Sequence, residues 1–123
     1  MGNRGGEVAR PRPWRFVFGS KKAADAWNEF CNSHRNAADA AWVAITSNPT
    51  VTTERQHQLK GRLGEVMYEG RRLPQWQYEP TGAGRVWYLV DEEQRKLVLT
   101  HAGAGHPGAT DKGKQRRRRG QTT

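Results

Sequence analysis

The chain is poor in features that mark oxidising compartments and membranes. Its 123 residues include a single cysteine, Cys31, which cannot form an internal disulfide and fits a reducing cytoplasm. No apolar run approaches the ~20 residues that a membrane helix needs. The first 13 residues lack the apolar segment of a secretory signal. We therefore expect a cytoplasmic protein with no membrane partner.

The sequence also lacks the usual motifs of metal and cofactor chemistry. It has no Cys-x-x-Cys or His-x-x-x-His spacing, and its carboxylates are scattered and not paired. Gly82 and Gly84 stand in a turn between two predicted strands and not before a helix, so they do not indicate a nucleotide-binding loop. We expect no metal and no cofactor, and any chemistry should act on an anion without them.

Positive charge is abundant and concentrated towards the two ends of the chain. The net charge is +9, of which residues 1–15 contribute +3 and residues 111–123 contribute +5. Both segments are poor in apolar residues, so we expect disordered basic tails. Such tails bind polyanions through counterion release and need no fold of their own. Tails that only keep the protein soluble, without a specific partner, would have the same composition.

Between Arg71 and His106 the sequence predicts three consecutive strands. They are residues 75–79, 85–90 and 95–101, which alternate in polarity or are rich in β-branched and aromatic side chains. The alternation of the last strand predicts that Leu97, Leu99 and His101 share one face. Tight turns separate the strands, so we expect an antiparallel meander with one face covered and the other available as a working surface.

The residues before this meander predict a strand and two helices. Residues 14–18 alternate as a strand, and Ser20 is a good N-cap for a following helix. Asn36 can cap a second helix, which should stop at Asn48-Pro49 because proline disrupts the preceding turn. Residues 53–60 are compatible with a short helix that exposes His57, and residues 65–69 with a strand.

These elements together predict an α+β fold. The N-terminal strand and the helical hairpin should pack on one face of a sheet of three or four antiparallel strands. We expect a single domain at residues 14–110. It should lie between a disordered basic arm at residues 1–13 and a disordered arginine-rich tail at residues 111–123.

Three segments follow the pair of helices in a characteristic order. They are LKGRLGE (59–65), GAGRVWYLVDEE (82–93) and LVLTHAGAGHP (97–107). In this order the chain resembles the RelE/ParE superfamily of type II toxins, especially the RelE- and HigB-like messenger-RNA interferases. The resemblance spans about residues 14–110 and implies a RelE-like fold. The arginine tail is not part of the family pattern.

The resemblance implies a toxin that cleaves mRNA on the ribosome without a metal. A 2′-hydroxyl attacks the adjacent phosphate, which requires a base, a cation and an acid. By resemblance, Arg85 contacts the scissile phosphate and His106 is the catalytic histidine of the loop after the last strand, with His101 as a second candidate. The segment QWQYE has no lysine, which favours histidine chemistry. The residues expected to bind RNA are Lys60, Arg62, Arg72, Trp76, Tyr78, Trp87, Arg116, Arg117, Arg118 and Arg119.

Each of these assignments has a structural alternative. Arg85 could form an ion pair with Glu79 or Glu93. Other candidates could serve packing or loop order and not binding: His101, His106, Trp76, Tyr78 and Trp87.

Two other functions also fit the sequence. A ParE-like toxin of the same fold would inhibit a protein such as gyrase, with no chemistry at the sheet. A non-enzymatic nucleic-acid-binding protein would depend on the arginine tail. For a toxin we expect a small acidic antitoxin as partner, wrapping the basic face with a helix or an extended segment.

Overall fold

The computed structural model describes residues 4–8, 13–80, 82 and 84–104. Within these residues the chain forms two α-helices, one short 3-10 helix and six strands. In chain order they are β1 (Arg15–Phe18), α1 (Lys21–Ser33), α2 (Arg35–Ser47), β2 (Gln56–Gln58), the 3-10 helix (Gly61–Gly64), β3 (Glu65–Tyr68), β4 (Arg71–Tyr78), β5 (Arg85–Asp91) and β6 (Lys96–Gly103).

The strands form one sheet in the order β1-β6-β5-β4-β2, and β3 pairs with the first half of β4. The predicted meander is β4, β5 and β6, which run antiparallel. β1 joins the sheet in parallel beside β6, so the sheet is mixed. The prediction that this strand packs on one face of the sheet is wrong, because its backbone pairs with β6 at the edge. The α+β class predicted from the sequence is confirmed.

The two helices follow each other almost without a break. The Ser20 hydroxyl accepts a hydrogen bond from the Ala23 amide at 3.1 Å, which confirms the predicted cap of α1. The predicted cap of α2 at Asn36 is wrong, because His34 alone separates the helices and α2 already begins at Arg35. α2 ends at Ser47, before Asn48-Pro49, as expected. In the described part of the chain both helices are too short and too polar to cross a bilayer.

Residues 53–60 do not form the helix that their pattern allowed. Residues 56–58 form β2 and pair antiparallel with β4, with Gln56 opposite Tyr78 and His57 opposite Gln77. Gln56 is held there because its side-chain amide donates to the Asn48 carbonyl and to the Tyr88 hydroxyl. A long-range partner thus overrides the local pattern. The strand predicted at 65–69 is confirmed as β3.

Both faces of the sheet carry apolar packing, because β5 is apolar on both sides. Val86, Tyr88 and Val90 point to the helices, where they pack with Phe30 and Ile45. On the other face Leu89 packs with residues of the neighbouring strands: Leu73, Val98, Val17, Val66 and Tyr68. Packing on both faces therefore fixes the strands in place. The face that carries no helices can then hold side chains at defined positions.

Candidate functional site

The candidate site lies on the sheet face turned away from α1 and α2, here called the distal face. On β5 this face carries Arg85, Trp87 and Leu89, because the alternate residues Val86 and Tyr88 belong to the helix-side core. Towards the β4–β5 turn the distal face is polar, and towards the opposite end it is apolar. The polar part holds the candidate residues.

His101 reaches the distal face through a bulge in β6. Tyr88 is opposite Leu99 whereas Trp87 is opposite His101, so Thr100 is one residue more than the ladder needs. Such a bulge shifts the alternation by one position. The prediction that His101 shares a face with Leu97 and Leu99 is therefore wrong. Its ring instead lies edge-on to Trp87, with the ring centroids 5.9 Å apart.

The bulge is held by side-chain hydrogen bonds from β4. The Thr100 hydroxyl donates to the Gln75 side-chain oxygen at 2.6 Å. The Gln75 side-chain amide in turn donates to the Leu63 carbonyl of the 3-10 helix at 2.8 Å. The position of His101 thus depends on contacts that are distant along the chain.

Arg85 forms an ion pair with Glu79 across the β4–β5 turn. The distance from Arg85 Nη1 to Glu79 Oε2 is 2.9 Å, and the two side chains are 33% and 34% exposed. This is one of the two pairings that the sequence offered as an alternative for Arg85. Arg85 Nε is buried and makes no hydrogen bond within the described residues. Arg85 Nη1 therefore holds Glu79, while Nε is enclosed by protein atoms.

Glu79 is a site residue that the sequence analysis did not propose in a functional role. It continues the alternation of Gln75 and Gln77 onto the distal face, and the turn brings it opposite Arg85. Arg55, just before β2, donates to the Glu79 carbonyl at 3.3 Å. The sequence contains both signals that could have identified Glu79: the alternation of residues 75–79 and the position of Glu79 across the turn from Arg85.

Arg85 and His101 lie on neighbouring strands of the same face. Arg85 is opposite Gly103, and His101 precedes Gly103 by two residues. Diagonal neighbours of this kind are about 7–8 Å apart in an antiparallel pair. The chain passes closely here, since a Cβ on Gly84 would lie 2.7 Å from the Gly103 carbonyl oxygen. The Arg85–Glu79 ion pair and the imidazole of His101 therefore lie on adjoining parts of the same face.

A buried polar pair, Gln77 and Trp87, lies next to these groups on the distal face. Trp87 Nε1 donates to the Gln77 side-chain oxygen at 2.7 Å, and the two residues are 5% and 6% exposed. Trp87 is therefore packed, and does not present an open ring face for stacking. His57, opposite Gln77, extends the row to β2 and is half-buried on a strand, not exposed on a helix.

The remaining predicted RNA-binding residues divide between the two faces. Trp76 and Tyr78 point to the helices, where Trp76 is buried in the core and Tyr78 packs against it. They do not join Arg85, because the strand alternation places them on the opposite face. Lys60 and Arg62 are exposed around the 3-10 helix, whose Leu63 carbonyl contacts Gln75 of the distal face.

Some predicted residues lie elsewhere. Arg72 is exposed opposite Met67, on the β3 half of β4 and away from Arg85. His106 and the run Arg116, Arg117, Arg118 and Arg119 lie outside the described residues.

Cys31, in the last turn of α1, does not have the features of an activated thiol. Burial raises the pKa of the Cys31 thiol, and Arg35 opposes this with a smaller effect. The neutral thiol therefore predominates at neutral pH.

Comparison with known proteins finds similarity in structure. No protein-family model matches the chain, and no curated protein sequence matches it. The YoeB/ParE toxin from Agrobacterium tumefaciens superposes with a TM-score of 0.54 at 13% identity, covering 75% of this chain and 99% of that one. The toxin–antitoxin complex RelBE2 from Mycobacterium tuberculosis gives a TM-score of 0.47 at 15% identity, with coverage of 78% and 95%. The chain therefore shares the fold of the YoeB/ParE toxin, as the resemblance of its sequence implied.

Proposed function

We propose that the protein is the toxin of a toxin–antitoxin system, and that it cleaves mRNA on the ribosome without a metal. The toxin fold supports the first part. The second rests on one observation, the grouping of Glu79, Arg85 and His101 on the distal face. These are the three kinds of group that phosphodiester cleavage by a 2′-hydroxyl requires.

In the proposed reaction the 2′-oxygen bonds to the adjacent phosphorus, and the bond from phosphorus to the 5′-oxygen breaks. Glu79 takes the 2′-hydroxyl proton. Arg85 keeps Nη1 on Glu79 and presents the exposed part of its guanidinium to the phosphate, where it stabilises the added negative charge. His101 gives a proton to the leaving 5′-oxygen. The products are a 2′,3′-cyclic phosphate and a 5′-hydroxyl, and His106 is the second candidate for the acid.

The test is cleavage of ribosome-bound mRNA in the presence of a chelator, read by primer extension. We expect the wild type to cleave. Arg85→Ala, His101→Ala and Glu79→Gln should each lose about 10²–10⁴-fold in rate. The matched controls are Arg35→Ala and His34→Ala on the helix side, which should cleave normally. Full cleavage by an Arg85→Ala/His101→Ala double variant would contradict the assignment, and loss only with His106→Ala would give the acid role to His106.

The alternative of a ParE-like toxin is favoured by the state of the distal face. The Arg85–Glu79 ion pair and the buried Trp87 are what a purely structural face would show. Such a toxin would leave ribosome-bound mRNA intact while its expression causes DNA damage. Measuring both in the same cells separates the two proposals.

An acidic antitoxin is the proposed partner, and charge supports this. The net charge is +9, and half-exposed apolar side chains at Phe18, Trp42 and Val43 offer a contact for an amphipathic segment. Expression of the chain alone should stop growth, and co-expression of a small acidic protein from the neighbouring reading frame should restore it. Unimpaired growth without that protein would count against a toxin.

A further inference from the structure

The buried pair formed by Gln77 and Trp87 calls for an explanation beyond packing. Apolar side chains fill most of the sheet, and a leucine or phenylalanine at these positions would bury comparable surface. A buried indole N–H instead needs an acceptor, and here the Gln77 side-chain oxygen supplies one at 2.7 Å. Such a pair adds little net stability, but it fixes the orientation of both side chains.

The orientation of the indole matters because His101 lies against it. The two rings meet at an interplanar angle of 64°, with the imidazole directly across the β5–β6 ladder from Trp87. The Thr100 bulge sets the backbone position of His101, and the contact with the indole bears on the orientation of its ring. The indole limits the orientations that the imidazole can adopt on that side.

We infer that Gln77 and Trp87 are positioning residues for His101: the hydrogen bond from Trp87 to Gln77 holds the indole at the angle that directs the imidazole towards Arg85. The inference rests on the proposed function for its chemical consequence. Its structural part, that Gln77 sets the orientation of His101, is independent of that function.

The first readout is the imidazole of His101 in the full-length protein, followed by NMR through a pH titration. Glu79, Arg85 and His57 also lie on this face and stay unchanged. In Gln77→Leu the indole loses its acceptor, so the ring contacts between Trp87 and His101 should change and the titration midpoint of His101 should shift. Gln77→Glu retains an acceptor oxygen, so the ring contacts should persist while the added carboxylate raises the midpoint.

The second readout is the rate of mRNA cleavage. Displacing a catalytic group by about 1 Å costs roughly 10²-fold in rate, so Gln77→Leu should lower kcat by about that factor with little change in KM. The control is Trp27→Phe, which shortens a tryptophan on the helix side of the sheet. It should leave the His101 signals in place.

The double variant Gln77→Leu/Trp87→Phe distinguishes a loss of folding from a change in the orientation of His101. It removes the indole donor together with its acceptor, so no buried donor is left without an acceptor. It should fold at least as well as Gln77→Leu, yet keep the altered His101 signals. The inference is overturned if Gln77→Leu retains the wild-type ring contacts between Trp87 and His101, or if the double variant retains the wild-type titration midpoint of His101. If the wild type cleaves no RNA while the His101 signals respond as described, the proposed function fails and the positioning stands.

Discussion

At the scale of single residues, Tyr88 shows how a side chain in the sheet stabilises a distant loop. Its hydroxyl is fully buried, donates to the Pro49 carbonyl at 2.7 Å and accepts from Gln56 at 3.0 Å. Gln56 also donates to the Asn48 carbonyl. The segment after α2 is thus fastened to β5 and β2 through one phenol.

Tyr88→Phe should destabilise the protein by about 1–3 kcal/mol, because the Pro49 carbonyl loses its donor inside the protein. Urea denaturation with a linear extrapolation measures the change. Tyr78→Phe is the control, since the Tyr78 hydroxyl makes no hydrogen bond that the described structure shows. An equal loss in both variants would mean that the hydrogen bond to Pro49 contributes nothing specific.

The same hydroxyl predicts a pH dependence. Burial raises the pKa of Tyr88 above its ordinary value, and the hydrogen bond from Gln56 opposes this to a smaller extent. The folded protein therefore holds the phenol proton more tightly than the unfolded chain does. Its stabilising effect is complete below about pH 10, the ordinary tyrosine pKa, and is lost as the pH rises above it.

The stability difference between the wild type and Tyr88→Phe should thus shrink above about pH 10, by up to ~1.4 kcal/mol per pH unit. Denaturation of both proteins at about pH 8 and about pH 11 measures it. Lysine titration affects both proteins alike and cancels in the difference. A constant difference across this range would contradict the raised pKa.

At this scale the sequence predicted side-chain faces well where the ladder is regular and failed at the bulge. The alternation predicted for residues 75–79 is present, since Trp76 and Tyr78 lie together on the helix side of the sheet. His101 was assigned to the wrong face, because the extra residue Thr100 is recognisable only once the partner strand and the hydrogen bond from Thr100 to Gln75 are known.

At the scale of elements, the turn between β4 and β5 determines how Arg85 meets β6. Gly84 has a φ of 127°, and a Cβ there would lie 2.7 Å from the Gly103 carbonyl oxygen. Gly82, in the same turn, has a φ of 76° but no described atom within 4 Å of such a Cβ. Comparing substitutions at Gly82 and Gly84 therefore separates the cost of a left-handed backbone from the cost of a steric clash with β6.

Gly82→Ala should cost about 1–2 kcal/mol, from the left-handed backbone alone. Gly84→Ala should cost about 1–3 kcal/mol more than a strained backbone alone, because the ends of β5 and β6 must move apart. Denaturation gives the two costs, and NMR chemical shifts of Arg85 and Gly103 report the displacement. Equal costs without a shift at Gly103 would show that the close approach relaxes freely.

Local sequence signals were sufficient to predict helix ends that are set by a capping residue or a proline. Ser20 marked the start of α1, and Asn48-Pro49 marked the end of α2. They failed for β2, whose three residues become a strand only through pairing with β4 and the contacts of Gln56. The parallel position of β1 beside β6 likewise depends on a partner some 80 residues away along the chain, as Arg15 opposite Lys96 shows.

At the scale of the whole molecule, the fold and the charge distribution point to separate contributions to function. The described domain between residues 13 and 104 brings Glu79, Arg85 and His101 together. More than half of the net charge of +9 belongs to residues 111–123. The sequence predicted the fold class and offered the pairing of Arg85 with Glu79 as an alternative, whereas the position of His101 on the same face required the bulge in β6.

Removing residues 111–123 should therefore weaken binding to RNA and to the ribosome while leaving the domain folded. The segment carries six Lys and Arg residues. For a single strand each phosphate contact contributes about 0.7 to the slope of log K against log salt, so the slope should flatten by up to ~4. Binding titrations of the full chain and the deletion at several salt concentrations measure it.

The matched control replaces Arg116, Arg117, Arg118 and Arg119 by glutamine, which retains the length of the segment and should reproduce most of the flattening. At saturating ribosome concentration both variants should cleave at close to the wild-type rate, because the proposed catalytic groups are intact. If the deletion abolishes every effect of the protein while Arg85→Ala has none, the tail is the functional part, and the protein acts as a basic nucleic-acid-binding protein and not as an enzyme.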